Sequence, residues 1–247
     1  MSVNGVKDII NAELEGRTRT YTWRKALSAA VGTACWFDVC MSPGMPLAKY
    51  WFDSTPGIAK SISQSTDGGI YHGANVSPYK KYIRTFTAFT PTAGAVPCTI
   101  KLCDYLLYYP SIDEGNTDPQ ILDNTITLPR YTDGKGLQIL PITVGARSVR
   151  GSFYVTYTNS DGISDRISQT VTLNLDSIGS AAASANVALN YLGASDPNGS
   201  ANPFIGLQHG DSGVRSIQSV TVINAADGLF SLLIVKPLAN TMIRGID

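Results

Sequence analysis

The chain has 247 residues, only 15% of them charged, and its 19 basic residues cancel its 19 acidic ones. A balance of this kind generates no long-range field, which argues against nucleic acid or an anionic membrane surface as a direct partner. The length suits one large β domain with an appendage; no apolar run approaches the ~20 residues of a bilayer span, and the opening MSVNGVKDIINAELEG lacks a signal peptide's hydrophobic core, so synthesis in a cytoplasm is expected.

The first 31 residues read as an arm distinct from the remainder, 32–247. Asn4 suits an N-cap, Val6, Ile9, Ile10 and Leu14 recur at helical spacing, and Gly16 suits a left-handed stop, which predicts a short amphipathic helix over 5–15. A helix this short is marginal alone in water, so its stripe should dock on its own domain or on a neighbouring subunit. Arg17, Arg19, Arg24 and Lys25 follow without an acidic neighbour; they read as a solvated or partner-facing segment rather than a phosphate site. The stretch WRKALSAAV, 23–31, fits a short helix and a strand equally.

From about residue 80 the pattern turns to period two, bounded by Gly, Pro and Asn clusters, and about nine strands are expected between 81 and 237. Phe153, Val155 and Tyr157 alternate with Ser152, Tyr154 and Thr156; Val171, Leu173 and Leu175 alternate with Thr170, Thr172 and Asn174. Asn159–Gly162 is expected to join these two runs as a hairpin, and Ala225–Gly228 to join IQSVTVIN to LFSLLIVKP in the same way. The last run is apolar on both faces and should be central. The expected fold is therefore all-β, an antiparallel sandwich or jelly roll with a short N-terminal helical arm. Long irregular stretches are expected at 41–78 and 109–135. Around them recur Tyr50, Trp51, Phe52, Tyr71, Tyr79, Tyr105, Tyr108 and Tyr109, which either pin loops to the sandwich or serve an interface.

Candidates for chemistry are few. Gly210-Asp211-Ser212-Gly213 carries the letters that surround a trypsin-like nucleophile, but His209 is too close in sequence to be the distant base, and His72 sits in a glycine-rich segment without the usual context. Gly, Asp and Ser are turn formers, and Ser212 is expected to be a turn residue. Cys35, Cys40, Cys98 and Cys103 form two Cys-x4-Cys pairs, not zinc-ribbon spacing, and are expected to be reduced thiols without metal. Asp113, Glu114, Asn116, Asp118 and Asp123 cluster without the EF-hand pattern. The DGKG segment precedes a strand pattern rather than a helix, unlike a phosphate loop. No catalytic constellation, cofactor motif or metal set is expected.

The phrases WFDVCMSPGMP, STDGGIYHGANVSPYKKY, DYLLYYPSID, LPRYTDGKGLQ, FYVTYTNSDG, GDSGVRSIQSV and LIVKPLA together resemble a group of structural proteins of tailed bacteriophages, over most of residues 20–240. Val39-Cys40 stands where such proteins have an aliphatic-serine pair, and the group has no catalytic residues to carry over. The resemblance implies a virion protein made in the host cytoplasm, a capsid decoration or cement protein bound to the major capsid protein or other virion proteins and homo-oligomeric; a tail or neck adaptor is its alternative. A carbohydrate-binding jelly roll is the reading from another class. The residues expected to touch a partner are Val6, Ile9, Ile10, Leu14 and Trp23.

Overall fold

A computed structural model of the chain describes residues 3–26, 36–63, 65–66, 68–74, 76–93, 96–145, 147–173 and 202–246. Its elements are helix α1 (Val6–Leu14), then strands β1 (Arg24–Lys25), β2 (Gly44–Met45), β3 (Lys60–Ser61), β4 (Cys98–Asp113), β5 (Gln120–Ile121), β6 (Gln138–Gly145), β7 (Ser152–Asn159), β8 (Arg166–Ile167), β9 (Val171–Thr172), β10 (Val214–Asn224) and β11 (Leu229–Ile243). The fold is an antiparallel β-sandwich. One sheet has the order β3-β4-β11-β6; the other has β5-β10-β7-β8, with β9 also pairing β7.

The central position of β11 follows from its sequence. A strand apolar on both faces must have cover on both, and in β11 Phe230, Leu232 and Ile234 enter the core between the sheets while Leu233 and Val235 enter a second core on the outer face. Strand β6 divides the same way, with Ile139 inside and Leu140 and Ile142 outside. The rings of Phe153 and Phe230 meet across the main core at 4.4 Å between centroids, tilted by 30°. The outer core is roofed by Met41, Trp51 and Ile62 from the segment before the sandwich, together with Phe204. The four-stranded sheet is thus a middle layer.

Asn159–Gly162 does form a hairpin turn: Gly162 N–H donates to Asn159 O at 3.0 Å, and β7 pairs antiparallel with β8 and β9. Val171 and Leu173 are buried as expected; Asn174 and Leu175 lie outside the described residues. Ala225–Gly228 is not a hairpin. Strand β10 pairs with β7 and β5, whereas β11 pairs with β4 and β6, so these four residues carry the chain from one sheet to the other. Asp227 fixes the crossing by accepting the N–H groups of Ser148 at 2.6 Å and Val149 at 3.2 Å.

Two further expectations are corrected. The irregular stretch placed at 109–135 begins only at Glu114, because β4 continues four residues past Tyr109, through Pro110, to Asp113. Proline removes a ladder donor, and the chain absorbs this with an irregularity in the β4–β11 register opposite Ser231: Ser111 stands at φ 59° and its N–H donates to the Ser231 hydroxyl at 3.2 Å. Among the described residues the strand region expected from residue 81 begins only at Cys98, and eight strands, β4 to β11, follow. Alternation specifies faces but supplies no pairing edge. Of the 23–31 stretch, Arg24–Lys25 is a strand paired with Gly44–Met45; residues 27–31 lie outside the described residues.

Candidate interaction surface

Helix α1 is capped differently from expectation. Gly5, not Asn4, is the N-cap residue and gives no side-chain cap; the Asn4 N–H instead donates to Asp8 Oδ2 at 2.8 Å, placing a carboxylate in the first turn, where the helix dipole favours it. Gly16 ends the helix at φ 64°, a left-handed conformation that costs glycine nothing. No residue of α1 is buried. Val6 is 72% exposed and Leu14 81%, and Ile9 and Ile10 are exposed as well; Trp23 is half-buried. Within a single chain the predicted stripe therefore faces solvent.

The helix is tied to a second exposed segment. Glu13 pairs with Arg84 and also accepts the Thr18 hydroxyl at 3.0 Å. Lys81 donates to the carbonyls of His72 at 2.7 Å and Ala74 at 2.8 Å, and the Tyr21 hydroxyl reaches the same His72 carbonyl at 2.8 Å. Lys80–Thr90 then runs without helix, strand pairing, turn or bend. Tyr82, Ile83 and Phe89 are exposed along it. The period-two pattern marked this run as a strand, and its role as surface was missed because alternation does not reveal a missing neighbour.

The loop aromatics divide. Trp51 and Tyr108 are buried and pack edge to face with centroids 5.5 Å apart; Tyr105 lies 5.5 Å from the same indole. The indole N–H donates to Asp38, which also accepts the Tyr105 hydroxyl at 3.1 Å and the Cys40 N–H at 2.9 Å, and the Trp51 carbonyl accepts the Ser231 hydroxyl at 2.7 Å. Tyr109 is buried with its hydroxyl on Asn124 at 2.7 Å. These four pin loops to the sandwich. Tyr50, Phe52, Tyr71 and Tyr79 remain exposed.

The Gly-Asp-Ser-Gly stretch is structural in each of its letters. The Asp211 N–H closes a turn onto Gln208 O at 3.0 Å, so Ser212 stands just past the turn rather than within it, with its hydroxyl 2.9 Å from that of Ser160. Asp211 accepts Tyr157 Oη at 2.5 Å, Asn159 Nδ2 at 2.8 Å and Arg166 Nε at 3.0 Å. Burial would raise its carboxyl, but these hydrogen bonds outweigh it and hold the group down to about 2. A Cβ on Gly213 would lie 2.1 Å from the Gly134 carbonyl oxygen, in the bridge between Lys135 and Gly213. His209 is exposed, and exposed His72 is engaged through its carbonyl and by Lys81.

The acidic cluster does not converge. Glu114 is buried against Arg147, Asp113 accepts the Gly115 N–H at 2.8 Å, Asn116 the Asp118 N–H at 3.0 Å and Asp123 the Thr125 N–H at 2.7 Å. Among the described residues no three His, Cys, Asp or Glu side chains are placed to hold a metal. Cys40, Cys98 and Cys103 are free. Burial raises all three thiols, with Asp38 adding to the effect at Cys40, and Cys103 reaches about 12, which makes them poor nucleophiles at neutral pH. Cys35 lies outside the described residues. A cavity of about 240 Å3 lined by Asn124, Ile126, Thr127, Leu128, Thr132, Arg215 and Ser216 contains no carboxylate, thiol or imidazole. No helix among the described residues is long and apolar enough to cross a membrane.

Comparison of the chain with protein-family models, with curated proteins and with solved structures finds no match.

Proposed function

We propose that the chain is a non-enzymatic structural protein of a tailed-bacteriophage virion, a capsid decoration or cement protein that bridges neighbouring subunits of the major capsid protein. The observation that carries this reading is the arm: Val6, Ile9, Ile10 and Leu14 form an apolar stripe without cover in one chain. A protein that works by burying surface across neighbours needs such a stripe and needs no catalytic group. Symmetric repetition on a shell multiplies each modest contact through avidity. The use of Asp211 and Ser212 in turn and strand contacts supports a role without acyl-transfer chemistry. The carbohydrate-binding alternative is weakened because Trp51, Tyr108 and Tyr109 are committed to the interior.

The test is to add purified protein to particles assembled without it and count the bound copies. Hundreds per particle support decoration. A small ring at one vertex assigns the tail or neck adaptor instead, and no binding to any virion component overturns the proposal.

A further inference from the structure

The outer face of the β5-β10-β7-β8 sheet is a surface of side-chain hydroxyls. Residues opposite one another in antiparallel strands share a face, and the register runs in one row from Ile121 of β5 through Ser219 of β10 and Thr156 of β7 to Ile167 of β8. Thr221 stands opposite Tyr154 on one side of that row, and Ser216 opposite Thr158 on the other. The residues between these rows, Val155, Tyr157, Ile217 and Val220, enter the core, so the rows themselves point outward. Ile121 is 76% exposed and Ile167 51%, with Thr156 and Ser219 half-buried between them. The face is accessible.

Its chemistry is unusual for a solvated sheet. Charged residues make up about a quarter of a typical chain, yet Arg215 is the one charged residue in β7 and β10. The hydroxyls of Tyr154, Thr156, Ser216, Ser219 and Thr221 make no hydrogen bond among the described residues. The register shifts between Ile217 and Ser219, and the additional residue, Gln218, turns its amide onto this face: Nε2 donates to Thr158 Oγ1 at 2.5 Å. Gln218 Oε1 is buried without a partner, the one side-chain polar atom so placed among the described residues. Such an acceptor calls for a donor from water or a ligand. Ser216 also lines the 240 Å3 cavity, where Thr127 and Thr132 add two hydroxyls that likewise have no partner among the described residues.

We infer that this face binds a neutral oligosaccharide, with the cavity as the seat of one ring. The rows offer no carboxylate for a cation and no basic track for a phosphate backbone. Serine is depleted in protein interfaces, which favour aromatic and Arg anchors. A sugar chain presents hydroxyls and apolar carbons together, and both find counterparts in hydroxyls bordered by two isoleucines. The dimensions agree. Three inter-strand spacings of ~4.8 Å give the row about 14 Å, the length of a short chain of rings, and the cavity is smaller than the ~300–1,000 Å3 that encloses a drug-sized ligand. The inference stands apart from the virion reading, since glycan binding is a property of the purified chain.

The experiment passes the purified full chain over an array of neutral oligosaccharides, α- and β-linked chains of glucose, galactose, mannose and N-acetylglucosamine, and titrates a retained one in solution with amide shifts read by NMR. Saturable binding that shifts amides at 154–158 and 216–221 and is insensitive to salt is expected. Thr156→Val with Ser219→Ala removes two hydroxyls that have no partner among the described residues; it should weaken binding at least about tenfold while leaving the melting temperature in place. Ser216→Ala should weaken binding as well, a single change that tests the same face if the pair perturbs folding. Retention of none of these oligosaccharides overturns the inference. So do shifts confined to other segments, which would move the site to the exposed loop tyrosines, and so does binding unchanged by all of these substitutions.

Discussion

Arg147 and Glu114 form an ion pair in which both side chains are fully buried: Arg147 Nε donates to Glu114 Oε2 at 2.7 Å, and Nη2 donates to the second carboxylate oxygen and to Thr143 Oγ1 at 3.1 Å. The pair sits where the backbone of Glu114 meets the crossing between the sheets, since Glu114 N–H donates to Gly228 O at 3.1 Å and the Ala226 N–H donates to Glu114 O at 2.9 Å. Removing one partner of such a pair strands the other charge out of water, at a cost of about 3–5 kcal/mol. Arg147→Met should therefore destabilise the protein by that amount in urea denaturation. Replacing both, Arg147→Met with Glu114→Leu, should recover most of the loss, because two apolar groups leave no buried charge behind.

The Asp211 carboxyl gives stability a defined acid dependence. In the folded chain it is held at about 2, its hydrogen bonds from Arg166, Tyr157 and Asn159 outweighing burial; an unfolded aspartate titrates near 3.9. Between those values the unfolded chain takes up a proton that the folded chain refuses, so stability falls as pH drops from about 4 toward 2 and the contribution is fully present above that window. Denaturation midpoints measured across this range should decline more steeply for the natural protein than for Asp211→Asn.

Gly213 and Ser212 are adjacent, and replacement by alanine should cost more at the first than at the second. Gly213→Ala drives a Cβ into the Gly134 carbonyl and the Gly136 amide, backbone atoms that move only by opening the Lys135–Gly213 bridge. A loss of about 1–3 kcal/mol is expected, as for overpacking elsewhere. Ser212→Ala removes one hydrogen bond at an exposed position, a loss of at most about 1.5 kcal/mol, and a serine-directed fluorophosphonate should leave the natural protein unlabelled.

The contrast between those neighbours shows what the sequence could express. LFSLLIVKP announced a strand buried on both faces, and β11 is that strand, because hydrophobicity on consecutive residues has one physical solution in a sheet. Ala225–Gly228 carried the same turn letters as Asn159–Gly162, yet it crosses between sheets; the difference lies in which edges β10 and β11 find, and in Asp227 reaching Ser148, neither of which is local. The exposed stripe of α1 was legible from spacing. The period-two pattern over Lys80–Thr90 was read as strand, but the segment is not one, because pairing is a relation between distant segments and has no letter of its own.

The arm offers the most direct test of function. No residue of α1 is buried, and the Glu13–Arg84 pair that ties it to the segment at 80–90 is exposed, so it contributes only ~0–1 kcal/mol. Removing residues 1–16 should leave the circular dichroism of the sandwich and its melting temperature essentially unchanged. Association should suffer, because burying an aliphatic side chain is worth roughly 1.5–3 kcal/mol before ordering costs, and four such side chains leave with the arm. The truncated and intact chains should be compared on particles assembled without the protein, with sedimentation of each alone in parallel. Weaker attachment with an unchanged melt assigns the stripe to an interface. A lowered melting temperature would assign it to the chain's own core, and attachment equal to that of the intact chain would move the interface to the exposed loop residues Tyr50, Phe52, Tyr71 and Tyr79.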